Sequence, residues 1–250
     1  MTLTSDTKDN LATQERVLAA RYAELKNKEL KLDLTRGKPS PEQLALADPL
    51  DGSLNNDYVS PDGTDVRNYG GLDGLPAARQ LGAALLGVRD TEVIAGGNAS
   101  LTLMYQYLLN AWQWGALGPD TAWRREQGRL KFLCVVPGYD RHFTMTEALG
   151  FEPVNVRMLE DGPDMAEVER LVANDPLIKG IWCVPKYQNP TGHTFSDATI
   201  QRMARLGKVA GPNFRIMWDN AYAVHDLYDD PPLLLNIMDC CRAEGTTDSV

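Results

Sequence analysis

Apolar residues follow two periodicities along this chain. Over residues 10–28, Leu11, Leu18, Tyr22 and Leu25 form a helical stripe on an otherwise charged segment. They predict an N-terminal helix that packs against something larger. Residues 33–63, rich in Pro, Gly and Asp, predict loop, with a short extended piece, LTRGKP at 34–39, that turns at Gly37. From about residue 75 short apolar runs alternate with helical segments. Pro76 suits the first turn of a helix reaching about Gly87. EVIA at 92–95 predicts a strand, and 99–112 a helix. Further strands are expected near 131–136, 153–157, 180–184 and 214–219, with helices near 164–173 and 196–209. This alternation predicts an α/β fold: a mostly parallel sheet flanked by helices. The strands at 92–95, 131–136, 180–184 and 214–219 are expected in one sheet. In such sheets ligands sit beyond the carboxyl ends of the strands.

Three polar clusters fall just past predicted strand ends. GGNAS at 96–100 lies between strand and helix, where backbone N–H groups make an anion site; the same spacing also suits a tight turn. KYQNPTG at 186–192 makes a rigid turn. It either aims Asn189 into a cleft or caps the next helix. In IMWDNAY at 216–222, Asp219 ends an apolar strand and Tyr222 follows in the same motif. A carboxylate there is either a helix cap or a charge that a cation satisfies.

Composition narrows the function classes. The 250 residues are 43% hydrophobic and 24% charged, with a formal net charge of -9. That mix is ordinary for a globular protein, and the acidic balance speaks against nucleic acid as main partner. Cys134 and Cys183 sit in apolar runs, Cys240 and Cys241 are adjacent, and the three histidines are scattered. None of this has disulfide-framework or metal-site spacing, so no metal is expected. Reduced thiols, a polar N-terminus and the lack of a long apolar run predict a cytoplasmic protein without a membrane partner.

The clusters also match one family in order. NYGGLDGLPAAR at 68–79, GGNAS at 96–100, PGYDRH at 137–142, NPTG at 189–192 and WDNAY at 218–222 resemble the motif series of fold-type I pyridoxal-phosphate (PLP) aminotransferases. LTRGKPSPEQL at 34–44 is similar to a bacterial aspartate aminotransferase subgroup whose domain is labelled MocR-like. The resemblance runs from about residue 30 to the end. It implies an N-terminal helix and arm at 1–45, part of a small domain, and a PLP-binding large domain over 46–250, incomplete at its C-terminal end.

Carried over residue by residue, the resemblance implies a pyridoxal 5′-phosphate site. Asp219 would pair with the pyridine nitrogen, with His142 behind it; a satisfied core histidine is the alternative. Asn189 and Tyr222 would hydrogen-bond the phenolic oxygen, and Tyr139 would stack on the ring, where familiar members carry Trp. Gly97, Asn98, Ala99 and Ser100 would cradle the phosphate. Tyr69 would reach the phosphate of a neighbouring subunit in a homodimer, or simply anchor its loop. Gly37, with Asn189, would meet the substrate carboxylate. Arg36 and Lys38 would serve an acidic substrate or be surface charges. The family's Schiff-base lysine lies after a further strand, and the last residues, DSV at 248–250, read as that strand's start. Lys186 stands on the wrong motif. The resemblance therefore implies that these 250 residues alone are not a competent transaminase. The implied reaction is transamination between an amino acid and a 2-oxo acid, aspartate with 2-oxoglutarate. A PLP-dependent lyase or decarboxylase, a ligand-sensing MocR-type regulator domain and an inactive remnant are the alternatives.

Overall fold

The computed structural model describes residues 7–31, 37 and 39–250. It separates into two compact units, residues 1–58 and 59–250.

In the first unit, helix α1 (Lys8–Asn27) starts at Thr7, whose hydroxyl accepts the Asn10 N–H. Taken by itself, it buries none of its residues. The loop expected over 33–63 contains a short helix, α2 (Pro41–Ala45), and a 3₁₀ turn at Asp48–Leu50. Reciprocal capping explains α2. Ser40 Oγ accepts the Gln43 N–H at 3.3 Å and Gln43 Oε1 accepts the Ser40 N–H at 2.7 Å, with Pro41 in the first turn.

The second unit is built on a five-stranded sheet. Strands β1 (Lys131–Val136), β2 (Glu152–Leu159), β3 (Gly162–Pro163), β4 (Ile178–Cys183) and β5 (Arg215–Trp218) run in the order β3-β2-β1-β4-β5. All neighbours are parallel except β2 with β3. Every residue of β4 is buried, as expected of a parallel strand covered on both faces.

Alternation along the strands sorts the core into two layers. Leu133, Val135, Ile181, Cys183 and Ile216 face α6 (Met165–Asn174), α7 (Asp197–Arg205) and α8 (Ile237–Glu244). Phe132, Cys134, Trp182 and Met217 face α4 (Ser100–Gln113) and α5 (Asp140–Ala148). The second layer is aromatic: Trp123, Phe132 and Phe151 meet edge to face at 5.6–6.4 Å. It depends on Gly180, because a Cβ there would stand 2.3 Å from the Phe132 ring. Helix α3 (Pro76–Leu86) closes at Gly87 in the left-handed region. No described helix is long and apolar enough to cross a membrane.

Two expectations are corrected. EVIA at 92–95 does not join the sheet. Asp90–Glu92 is a 3₁₀ turn, and the Arg79 guanidinium takes the carbonyls of Asp90 and Val93 that a strand ladder would need. Residues 248–250 do not start a strand either. Thr247–Ser249 is a 3₁₀ turn, held where the Thr246 hydroxyl donates to Ala204 O at 2.6 Å.

Candidate active site

Asp219 directly follows β5, and its N–H donates to Cys183 O at 2.8 Å, extending the β4–β5 pairing by one step. Alternation places its side chain with Met217, on the aromatic face. There His142, in the first turn of α5, meets it: Nε2 lies 3.0 Å from Asp219 Oδ2. A carboxylate only accepts, so Nε2 carries the hydrogen. His142 is 1% exposed and stacks on Trp182 with ring centroids 4.3 Å apart and 7° between planes. Trp182 Nε1 donates to Thr146 Oγ1 at 2.8 Å, and that hydroxyl donates to His142 O at 2.9 Å. The Tyr139 ring meets His142 edge-on at 5.1 Å. The histidine is therefore held on three sides. Asp219 Oδ1 accepts no hydrogen bond from a described residue, so one oxygen of an oriented carboxylate stays open.

Asn189 and Tyr222 sit on neighbouring loops, after β4 and after β5. Both are half-buried, and neither side chain has a hydrogen-bond partner among the described residues. Their loops are well tied. Gln188 Nε2 donates to Pro137 O at 2.9 Å, and Gln188 Oε1 accepts the Thr191 N–H at 3.0 Å and the Thr191 hydroxyl at 2.7 Å. Lys186 Nζ donates to Asp226 Oδ1 at 2.5 Å.

Gly97, Asn98, Ala99 and Ser100 are exposed at the start of α4, where no side chain caps the helix. The Ser100 and Leu101 N–H groups therefore have no helical acceptor. Leu108 and Ala111 of α4 pack with Trp123, Phe132 and Phe151 near the amino end of β1. That contact directs the helix start towards the carboxyl ends of the strands, the side on which Asp219 lies. Tyr69 is 100% exposed. Gly37 belongs to the first unit, and Arg36 and Lys38 lie outside the described residues.

Size does not mark the site. A cleft of about 600 Å³ is lined by Gly87, Lys186, Trp218, Asn220, Leu233 and Val250 among others, but not by Asp219, Asn189 or Tyr222. Trp218 points opposite to Asp219, while Lys186, Ala223 and Asp226, on the loops that carry Asn189 and Tyr222, line the cleft. Burial pushes the Cys134 thiol up to about 12, with the Glu147 charge adding to it, and pushes the Cys183 thiol up as well. Neither is a ready thiolate nucleophile. Sequence reasoning missed Trp182, Thr146, Gln188 and Asp226. Gln188 lies inside a quoted motif, but its partner Pro137 is 51 residues away.

Comparison with known proteins gives these results. Residues 6–250 match the family model described as aspartate amino-transferase. An aspartate aminotransferase of Corynebacterium glutamicum is 48% identical over 226 residues, covering 90% of this chain and 52% of that protein. The crystal structure of an aspartate transaminase from the same species superimposes with a TM-score of 0.83 at 44% identity, covering 99% of this chain and 58% of that one. The α-aminoadipate aminotransferase of Thermus thermophilus, solved in complex with N-(5′-phosphopyridoxyl)-L-leucine, shares the fold alone, at TM-score 0.59 and 20% identity. The chain spans about half the length of the curated relatives it matches.

Proposed function

Because the chain belongs to the aspartate amino-transferase family, we propose that the full-length protein transfers an amino group from an amino acid to a 2-oxo acid, aspartate to 2-oxoglutarate, with pyridoxal 5′-phosphate. The observation that carries this reading is the His142–Asp219 pair, with one carboxylate oxygen open at the carboxyl edge of the sheet. The residues fit the cofactor. An oriented acceptor suits a protonated pyridine nitrogen, an uncapped helix start suits a phosphate, and a phenol and an amide without partners suit a phenolic oxygen. The specific substrate follows the name of the C. glutamicum relative.

The bound cofactor supplies an electron sink for the charge left when the substrate Cα loses its proton. This chain's residues orient and tune it. Asp219 keeps the ring nitrogen cationic, since a nearby opposite charge favours the protonated form. His142 fixes the carboxylate in that pose. Tyr139 flanks the ring, Asn189 and Tyr222 donate to its phenolic oxygen, and Gly97, Asn98, Ala99 and Ser100 receive the phosphate. Asn189 meets the substrate carboxylate, while roles for Gly37 and Arg36 rest on the resemblance alone. Tyr69, whose side chain is fully exposed, serves a second subunit, so the working protein is a homodimer. The buried lysines Lys179 and Lys186 are both paired with carboxylates.

Asp219→Asn in the full-length protein tests this. It should keep the fold and bound cofactor and lower turnover by about 3–5 kcal/mol, roughly two to four decades. Near-normal turnover with an unchanged cofactor spectrum would reduce Asp219 to a structural partner of His142, because asparagine can still accept that hydrogen bond.

A further inference from the structure

We propose that Lys186 and Gln188 are positioning residues for the reaction proposed above, on which this inference rests: together they fasten the loop carrying Asn189 to the loops carrying Tyr222 and Tyr139. Tyr187, between them, is 8% exposed and has φ +48°, a conformation rare for a residue with a side chain. That backbone persists only where its surroundings over-determine it, and the ties on either side do so.

One tie runs to the loop after β5. Lys186 is 6% exposed. Its Nζ donates to Asp226 Oδ1 at 2.5 Å and, at a long 3.4 Å, to Ala223 O, the residue next to Tyr222. The ammonium also sits 5.3 Å from the Tyr187 ring centroid. Tyr187 reinforces the tie, its hydroxyl donating to Asp226 at 3.5 Å and accepting the Leu227 N–H at 3.4 Å. The other tie runs to the loop after β1. Gln188, 4% exposed, donates to Pro137 O, two residues before Tyr139. Its carbonyl oxygen holds Thr191, on the far side of Asn189. The bonds to Ala223 O and Pro137 O thus end within two residues of Tyr222 and Tyr139, and Asp226 stands four residues past Tyr222 on the same loop. None of the tying groups faces Asp219 directly. Their loss should therefore move Asn189, Tyr222 and Tyr139 relative to one another and leave the Asp219 charge in place.

The test uses the full-length, PLP-loaded protein with Lys186→Met, Asp226→Asn, their double variant, Lys186→Arg and Gln188→Glu. Each is measured by visible circular dichroism of the bound cofactor, PLP dissociation constant, kcat, KM and thermal midpoint. Lys186→Met and Asp226→Asn should each weaken PLP binding and lower kcat about tenfold or more, as misplacement of a contact group does. KM should rise as well, because Asn189 also meets the substrate, and the dichroic band should shrink. The double variant should be no worse than either single, as for coupled partners. Lys186→Arg should restore most of the signal. Gln188→Glu, which keeps the acceptor but loses the donor to Pro137, should weaken the same band. A lower thermal midpoint with an unchanged band and PLP affinity, or losses that simply add, would overturn the proposal. If Lys186→Met does not fold, Asp226→Asn and Lys186→Arg decide on the same readouts. Failure of the wild type to bind PLP, or an active Asp219→Asn variant, would instead remove the underlying function.

Discussion

Two buried lysines on one stretch of chain make closely similar bonds at opposite ends of the sheet. Lys179, on β4 near its amino end, is 0% exposed and donates to Glu126 at 2.8 Å and to Pro212 O at 3.1 Å. Lys186, beyond the carboxyl end of the same strand, donates to Asp226 and Ala223 O. Each is an ammonium satisfied by one carboxylate and one carbonyl. The segments they join differ. Lys179 ties the stretch before β1 to the stretch before β5, where no proposed site residue lies. Lys186 ties the two loops that carry Asn189 and Tyr222. The same ion pair therefore reads as scaffold at one end and as alignment at the other, and the site lies at the end where loops are fastened by side chains.

The largest expected effect on stability is at the scaffold end. Lys179→Met strands Glu126 and the Pro212 carbonyl. Breaking an enclosed pair costs about 3–5 kcal/mol, and the partial exposure of Glu126 brings the expected loss to about 3 kcal/mol. Urea unfolding should register this, while turnover per folded molecule stays within about twofold. A large loss of turnover without loss of stability would erase the contrast between the two ends.

Next in size is the carboxyl end. His142→Phe keeps a ring against Trp182 but removes the donor to Asp219. It should lower turnover by about 1–2 kcal/mol, or about five- to thirtyfold, with a small change in stability. Steady-state kinetics beside thermal melting separates the two.

The smallest effect belongs to a surface cluster of three charges. Glu92 is bound by Arg89 and Arg242, which hold its carboxyl at about 2. A depressed carboxyl contributes stability above its ordinary range, and that contribution fades as pH falls through the folded-state value. The gap in thermal midpoint between wild type and Glu92→Gln should be open at neutral pH, narrow below about 4.5, and close near pH 2. A gap that persists at pH 2 would mean that Glu92 acts through packing.

What could be read beforehand follows from how local the signal is. β1, β4 and β5 declare themselves as apolar runs, and α6 by Met165, Val168 and Val172 at helical spacing, all buried. The run at 92–95 misleads because strand character needs a neighbour, and Arg79 occupies the carbonyls a neighbour would use. α5 carries few apolar residues, so periodicity does not reveal it. The meeting of His142 with Asp219 spans 77 positions, and only the resemblance of PGYDRH and WDNAY to a known motif series links them in advance. The ties of Lys186 and Gln188 were invisible for the same reason: residue type and spacing do not say where a long polar side chain ends.

The stack of His142 on Trp182 has an optical consequence. An indole in face-to-face contact with the imidazole that holds Asp219 lies one ring and one hydrogen bond from the open carboxylate oxygen. Its emission should respond when a cation settles on that oxygen. The second layer's other buried indole, Trp123, instead donates to Asn213 O at 2.9 Å, near the amino end of β5, and serves as an internal reference. Light from one tryptophan would then report events at the site, and light from the other the integrity of the frame that carries it.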